Sequence, residues 1–154
     1  MSTSAIDPGL EDGLSWRLAL AGRLLRTQAD VRLGREAATG VQGVGVLMRL
    51  LELDGLTQAT LARVQRVEPS SMCRMIDRLE RDGLVERRRS PGDRRATRVY
   101  LTDDGRRTAL RGVDDARALD EEIFGELSDS ERLALSDMLS RVLARLARGP
   151  VHEL

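Results

Sequence analysis

The segment at residues 68–82 constrains the fold most, because its signals predict one short helix with both ends defined. Pro69 suits the first helical position, where its missing N–H would have no intrahelical partner, and it favours extended geometry at Glu68. Gly83 can adopt the left-handed conformation that ends many helices. Apolar side chains recur every three or four residues between these limits. They are Met72, Met75, Ile76 and Leu79.

The opposite face of this helix carries polar side chains that suit a DNA groove. At 100° per residue, that face holds Ser70, Arg74, Asp77 and Arg81, with Ser71 and Arg78 beside them. A short helix with hydroxyls and an arginine in its first turns can enter a major groove end-first. Arginine on a helix surface is more often simply solvated, so the hypothesis depends on the neighbouring segments.

Those neighbouring segments predict a winged helix-turn-helix. Thr57 is a candidate N-cap for a short helix that starts at Gln58 and ends in a turn at residues 65–67. After Gly83 the pattern changes to a period of two at residues 84–89 and 96–101, with a turn at residues 90–93. These two strands predict a β-hairpin with an arginine-rich rim, which is a wing.

Longer helices are predicted on both sides of this unit, at about residues 10–36 and 39–53, with Thr39 as a candidate cap, and again after Thr102. Ser128 and Glu131 have the spacing of a capping box for the last helix, which is predicted to extend to residues 149–150. The terminal apolar stripes exceed what the small central unit can cover, so we expect a second copy of the chain to cover them. The fold class is therefore mainly α, with residues 1–38 and 103–154 forming a dimerisation domain around a DNA-binding domain at residues 39–102.

Charge is distributed unevenly along a chain whose formal net charge is zero. Residues 60–100 contain eleven arginines and six acidic residues, whereas residues 101–130 contain four arginines and nine acidic residues. A basic module beside an acidic one is the electrostatic pattern of a DNA-reading unit next to a unit that does not touch DNA. All 25 basic residues are arginine, which we attribute in part to genomic base composition.

Few residues could support catalysis or bind a metal. The single cysteine, Cys73, and the single histidine, His152, cannot form a disulfide or a structural zinc site. Cys73 lies at the margin of the apolar stripe and is interpreted as a half-buried filler, although a redox switch is the alternative. No phosphate loop or nucleophile elbow is present, so we predict that the chain is not an enzyme and uses no cofactor. The absence of a long apolar run or signal peptide predicts a cytoplasmic protein that does not enter a membrane.

The residues from 56 to 109 resemble the MarR family of bacterial transcriptional regulators. The order and spacing of several short motifs carry the resemblance, at residues 56–59, 61–62, 76–87, 93–95 and 99–105. It implies a homodimer that binds double-stranded DNA, usually as a repressor at a pseudo-palindromic operator. In such proteins a small aromatic ligand, or oxidation of a cysteine, lowers the affinity for DNA.

The same resemblance implies a role for particular side chains. Ser70, Ser71 and Arg74 would contact bases, and Arg94 or Arg95 at the wing tip would enter the minor groove, with Asp93 bracing Arg95. From the residues themselves, Arg78 lies on the same helix face, and the start of the short helix, at Thr57 and Gln58, could approach a phosphate. Arg87, Arg88 and Arg89 fit phosphate contacts and solvated strand positions equally well.

Three departures from the family pattern affect the expected function. Glu68 and Pro69 replace the more usual small polar or basic residues at the start of the predicted recognition helix. Gly43 and Gly45 stand where bulkier residues are common, which puts the usual ligand pocket in doubt. No cysteine occurs near the first helix, which argues against the redox-sensing branch. A winged-helix module that acts through protein contacts without binding DNA is the alternative function, and a small-molecule enzyme is a weaker one.

Overall fold

The computed structural model describes residues 13–33, 40–90 and 93–147, without the side chains of residues 33, 90 and 93–96. Helices dominate this part of the chain, and three strands form one small sheet. In order, the elements are α1 (Leu14–Leu33), α2 (Gly40–Glu52), β1 (Leu56–Thr57), α3 (Gln58–Gln65), α4 (Pro69–Arg81), β2 (Val85–Ser90), β3 (Asp93–Leu101), α5 (Asp103–Phe124) and α6 (Asp129–Leu146). The mainly α winged helix-turn-helix prediction is confirmed. The chain forms two compact units, Met1–Ala116 and Arg117–Leu154.

The core of the first unit is aliphatic and is centred on α4. The predicted stripe of α4 is buried, since Met72, Met75, Ile76 and Leu79 are each at most 6% exposed. Side chains from five other elements complete the cluster. They are Val46, Leu47 and Leu50 of α2, Leu61 and Ala62 of α3, Val85 of β2, Val99 and Leu101 of β3, and Ala109 of α5.

The ends of α3 and α4 follow from local sequence signals. Thr57 caps α3, because its hydroxyl oxygen accepts from the backbone N–H of Thr60 at 3.2 Å. Arg66 ends α3 in the left-handed conformation with φ of 53°. Pro69 begins α4 as predicted, and Gly83 follows its end with φ of 72°. Among the described contacts of Glu68, the side chain makes no capping hydrogen bond.

The sheet is antiparallel and has the strand order β1-β3-β2. The two-residue strand β1 was not predicted, and it pairs Leu56 with Val99 and Thr57 with Arg98. The hairpin extends closer to its tip than predicted, because Ser90 and Asp93 pair with each other instead of lying in the turn. As a result β3 is longer than predicted, whereas β2 is shifted by one residue. Turn residues 91–92 lie outside the described residues.

The start of α5 is fixed against the end of α4 by Thr102. The Thr102 hydroxyl donates to the carbonyl oxygen of Gly83 at 2.6 Å, and the same oxygen accepts from the backbone N–H of Gly105 at 3.0 Å. The predicted cap of α5 is therefore confirmed. The predicted cap of α2, Thr39, lies outside the described residues, as do residues 10–12, 34–36 and 148–150 at the predicted helix ends.

In the second unit, α6 begins with the predicted capping box. The Ser128 hydroxyl oxygen accepts from the backbone N–H of Glu131 at 3.4 Å, and the Glu131 carboxylate accepts from the backbone N–H of Ser128 at 2.8 Å. Arg132 also donates to both carboxylate oxygens of Glu121 at 3.0–3.2 Å. These contacts hold α6 against the end of α5. None of the described helices is both long and apolar enough to cross a membrane.

Candidate nucleic-acid interface

Helix α4 presents the predicted polar face to solvent. Because its apolar stripe is turned into the core, the side chains of Ser70, Ser71, Arg74 and Arg78 are exposed. We call these four residues the reading face. The Arg74 guanidinium donates to the Ser71 hydroxyl oxygen at 3.4 Å, a long and weak hydrogen bond. That contact leaves most of the guanidinium donors of Arg74 available to a partner.

Further along the same face, three arginines surround an open surface depression. Arg74, Arg78 and Arg81 line it together with Asp77. Within the described part of the chain, neither Arg78 nor Arg81 has an ion-pair partner. These cations can therefore bind an external anion without first breaking a described internal pair.

The side chains at the start of α3 are less available for a phosphate contact than the sequence predicts. The Thr57 hydroxyl is already occupied, since besides its cap contact it lies 2.9 Å from the Thr60 hydroxyl oxygen. Thr57 and Gln58 are both half-buried. The first-turn N–H groups of a helix lack intrahelical acceptors, so those that the Thr57 cap leaves open in α3 can bind a phosphate oxygen.

On the wing, Arg87 forms ion pairs with carboxylates of the same chain, whereas the sequence left phosphate contact and solvation as equal alternatives. Its guanidinium donates to the Asp77 carboxylate at 2.6 Å and to the Glu80 carboxylate. Its backbone N–H also donates to Glu80 at 3.0 Å. Desolvation lowers the pKa of Arg87, but the hydrogen bonds and charges of the two carboxylates outweigh it and raise the pKa above its ordinary value. Arg87 is a structural cation.

Two other wing arginines also have internal partners. Arg88 pairs with Glu86 and lies 4.9 Å from the centre of the Tyr100 ring, and Arg98 donates to the carbonyl oxygen of Gly55 at 2.8 Å. In contrast, Arg89 is exposed and has no hydrogen-bond or ion-pair partner among the described residues. Arg89 is thus the β2 arginine that is free to approach a phosphate.

The predicted wing-tip residues can be located only along the backbone. Asp93, Arg94 and Arg95 belong to β3, but their side chains lie outside the described residues. Their predicted bracing and minor-groove contacts stay predictions. His152 also lies outside the described residues.

Cys73 differs from its sequence interpretation, because it is exposed rather than half-buried. Its position, one residue beyond Met72, turns it out of the core by about 100°. The nearest polar partner is the Asp77 carboxylate, 3.9 Å from the sulfur atom. In the part of the chain that the structure describes, no cluster of three potential metal ligands occurs.

The contacts of Asp77 and Glu80 with Arg87 were not predicted from the sequence. A signal was present, since Asp77 and Glu80 are three residues apart and therefore share a helix face. An arginine two residues into the following strand could be expected nearby. The sequence offered several arginines for this role, however, and only the turn at Gly83 decides which one reaches the carboxylates.

Comparison with known proteins gives consistent matches. A family model described as the MarR family matches residues 44–97. The uncharacterized HTH-type transcriptional regulator YdgJ of Bacillus subtilis is 32% identical over 109 residues, which cover 70% of this chain and 66% of that protein. An HTH-type transcriptional repressor of Mycobacterium bovis is 30% identical over 136 residues, which cover 87% of this chain and 97% of that protein.

A solved structure shares the fold over most of the chain. The crystal structure of S. aureus MepR in complex with DNA matches with a TM-score of 0.78 at 20% identity. The match covers 87% of this chain and 98% of MepR. At 20% identity, this match is evidence for the fold alone.

Proposed function

Because the chain belongs to the MarR family of transcriptional regulators, we propose that it represses transcription by binding a pseudo-palindromic DNA operator as a homodimer. A transcriptional regulator of this family is not an enzyme. The relative from Mycobacterium bovis is named a repressor, and MepR was crystallised with DNA. The name of the relative supports a repressor, and the complex of MepR supports DNA as the partner.

The observation that carries the proposal is the reading face of α4. It combines two exposed hydroxyls with two arginines, and the described residues provide no carboxylate partner for either arginine. Hydroxyls and guanidinium groups can bond to base edges in the major groove, and a bidentate arginine–guanine pair contributes about 1–3 kcal/mol of discrimination. We propose Arg74 as the principal guanine contact, with Ser70, Ser71 and Arg78 beside it.

Affinity would come mainly from phosphate contacts on either side of the reading face. Thr57 and Gln58 would orient the amino end of α3 towards one phosphate, and Arg89 would approach another from the wing. Arg94 and Arg95 would enter the minor groove, where a narrow A·T-rich tract attracts arginine. Asp93 would hold Arg95 in position.

Exposed apolar side chains on the terminal helices support the dimer. Ala29 is the only buried apolar residue among the described residues of α1. No described residue of α6 is buried. In the second unit a groove of about 420 Å³ is lined partly by Phe124, Leu135, Leu139 and Leu143. Contiguous apolar surface of this kind marks an interaction site. We propose that residues 1–38 and 103–154 provide the dimer contacts.

Release by a small aromatic ligand stays a prediction from the family resemblance. Gly43 is buried in α2, and a Cβ atom on Gly45 would lie 3.5 Å from the Gln65 side chain. A Cβ atom at Gly45 would therefore make only ordinary van der Waals contact with Gln65. Adding small phenolic compounds to a preformed protein–DNA complex and measuring the fraction bound would test for an effector.

The function can be tested by selecting an operator from random duplex DNA and measuring affinity at several salt concentrations. Each phosphate contact should contribute about 0.9 to the negative slope of log K against log salt. A flat response, or selection of no sequence, would contradict DNA binding and favour the alternative of a protein-contact module.

Replacing Arg74 by alanine should abolish discrimination at one position of each half-site. The loss should be about 1–3 kcal/mol, or roughly 5- to 150-fold, at that position and small elsewhere. Arg74→Lys keeps the charge but loses the planar fork, so it should restore overall affinity without the discrimination. Arg49→Ala is the matched control, because Arg49 is an exposed arginine of α2 that pairs with Glu52 and belongs neither to the reading face nor to the proposed dimer contacts. It should change neither property.

A further inference from the structure

We propose that Arg87 is a positioning residue that fixes the wing relative to α4, so that major-groove and minor-groove contacts form together on one operator. This inference rests on the proposed function. Arg87 itself would not contact DNA. Its part is to connect the helix that reads bases to the hairpin that reaches the minor groove.

The contacts of Arg87 join these two elements from both its side chain and its backbone. The two ends of the guanidinium reach different carboxylates, Asp77 and Glu80, which lie one helical turn apart on α4. The Glu80 carboxylate also accepts from the Arg87 backbone N–H at 3.0 Å. Because the backbone N–H takes part, the bridge restrains the position of the strand and not only that of the Arg87 side chain. Rotation of the wing away from α4 would break these contacts together.

Arg87 lies far enough along β2 to restrain the direction of the hairpin. Successive side chains of a strand point to opposite faces, so Arg87 shares its face with Val85, which is buried in the core. Arg87 is the next residue outward on that face. Among the described residues of β2, it is the last one towards the tip with a polar contact to α4. Beyond it the hairpin continues to the proposed minor-groove contacts without a described tie to α4.

The connection between α4 and β2 is short but does not by itself fix the direction of the wing. Gly83 has φ of 72°, and nothing lies within 4 Å of the position of a Cβ atom there. The backbone N–H of Leu84 donates to the carbonyl oxygen of Leu79 at 2.9 Å, which closes the turn at its base. The pairing of β3 with β1 holds one side of the hairpin, and the Arg87 bridge adds a direct contact between β2 and α4 that restrains its angle.

The ion pairs of Arg87 are partly shielded from solvent. The side chain of Arg87 is 22% exposed, compared with 56% for Asp77 and 39% for Glu80. Hydrogen-bonded ion pairs with two partners hold geometry better than an isolated surface pair. The bridge also neutralises Asp77, whose carboxylate lies beside the arginines of the reading face and would repel phosphate if it were unpaired.

The test compares Arg87→Gln with Arg89→Gln on a selected operator. Arg89 is two residues farther along the same face of β2 but has no described partner, so it is the matched control. Two kinds of altered duplex are needed, one with substitutions at the bases assigned to Arg74 and one with A·T-rich flanks replaced by G·C. Arg95→Ala, which removes a proposed minor-groove contact, defines full loss of flank preference.

Arg87→Gln should reduce the preference for A·T-rich flanks by about tenfold, towards the value of Arg95→Ala, because the wing no longer reaches the groove in one orientation. Discrimination at the Arg74 position should persist, and the salt slope should change less than for Arg89→Gln, whose slope should fall by about 0.9 for each half-site, or about 1.8 for the dimer. A salt slope that falls equally in both variants would instead make Arg87 a phosphate contact and overturn the proposal.

Two further variants separate positioning from charge and from folding. The triple variant Asp77→Asn/Glu80→Gln/Arg87→Gln has no unpaired carboxylate, yet it should still lack the flank preference, because the bridge is absent. Recovery of the preference would show that Arg87 acts only by neutralising charge. If Arg87→Gln does not fold, Arg87→Lys takes its place in the test. This variant keeps a cation but not the two-ended fork, so it should lose part of the preference for A·T-rich flanks. Full flank preference in folded Arg87→Lys would refute positioning by the fork. Failure of the wild-type protein to bind DNA would refute the proposed function instead.

Discussion

At Gly105 the first turn of α5 passes so close to Leu84, the residue before β2, that no side chain can be present. A Cβ atom there would lie 1.8 Å from the carbonyl oxygen of Leu84 and 2.8 Å from its carbonyl carbon. Because these are backbone atoms, the conflict cannot be relieved by a change of rotamer. The N–H of Gly105 also donates to the Thr102 hydroxyl oxygen that caps α5. Gly105 is thus needed for α5 to pack against the segment that joins α4 to β2.

We therefore expect Gly105→Ala to destabilise the protein by about 1–3 kcal/mol or more, as overpacking of a rigid site does. Gly22→Ala is the control, since Gly22 is also helical but has nothing within 4 Å of its added methyl group. There the change should stabilise the helix by about 0.5–1 kcal/mol. Chemical denaturation of both variants measures the difference. Equal stabilities would mean that α5 can move away from Leu84 without cost.

Among single residues, the sequence predicted exposure well and partners poorly. Periodicity was sufficient to place Met75 in the core and Arg74 outside it, since both follow from the 100° step of one helix. The error at Cys73 arose at the boundary of the stripe, where one step of rotation decides burial. The partner of Arg87 depends on a turn between two elements, and no periodic pattern contains that information.

At the scale of elements, the helix ends were predicted because their signals are local. Pro69, Gly83, Thr102 and the Ser128–Glu131 pair each act within four residues of the position that they define. Strand β1 was missed for the opposite reason. Two residues carry no period, and Leu56 and Thr57 are extended because they pair with β3 more than forty residues later. Pairing at that distance is a property of the folded unit.

The capping box of α6 predicts a specific pH dependence. Hydrogen bonds from the Ser128 hydroxyl and backbone N–H lower the pKa of Glu131 in the folded protein. The unfolded chain therefore binds the proton more readily, so the stabilisation is present above the unfolded pKa and is lost as the pH falls through the folded pKa. Glu131→Gln should lower the melting temperature by a few degrees at neutral pH, and this difference should shrink in acid.

The matched control for this prediction is Glu126→Gln. Glu126 is an exposed glutamate in the turn before α6, and it makes no side-chain hydrogen bond or ion pair within the described structure. Its substitution should leave the melting temperature and its pH dependence nearly unchanged. A Glu131→Gln difference that is constant from neutral to acid pH would argue that the carboxylate charge does not contribute to the cap.

At the scale of the whole molecule, the exposed apolar surface of α6 supports the proposed homodimer. Leu143 and Leu146 of α6 are 55% and 65% exposed, although both lie on an apolar stripe that the sequence predicts to be covered. Side chains of this kind cost little in an isolated chain but become buried if a second copy packs against them. A symmetric pair would offer two reading faces to one duplex, and half-sites about 34 Å apart are the usual arrangement for such dimers.

Replacing both leucines by glutamate should therefore convert a dimer into a monomer, because each copy would bury uncompensated charge at the contact. The mass measured by light scattering should fall from twice the chain mass of 17.1 kDa to that mass. The double variant Leu53→Glu/Val64→Glu is the control, since these apolar residues are 60% and 42% exposed but lie outside α1, α5 and α6. It should remain a dimer. The α6 variant should also lose affinity for a complete operator while binding a single half-site as the wild type does, because each reading face is intact. Dissociation of the control, or a dimeric α6 variant, would move the self-association surface away from the terminal helices.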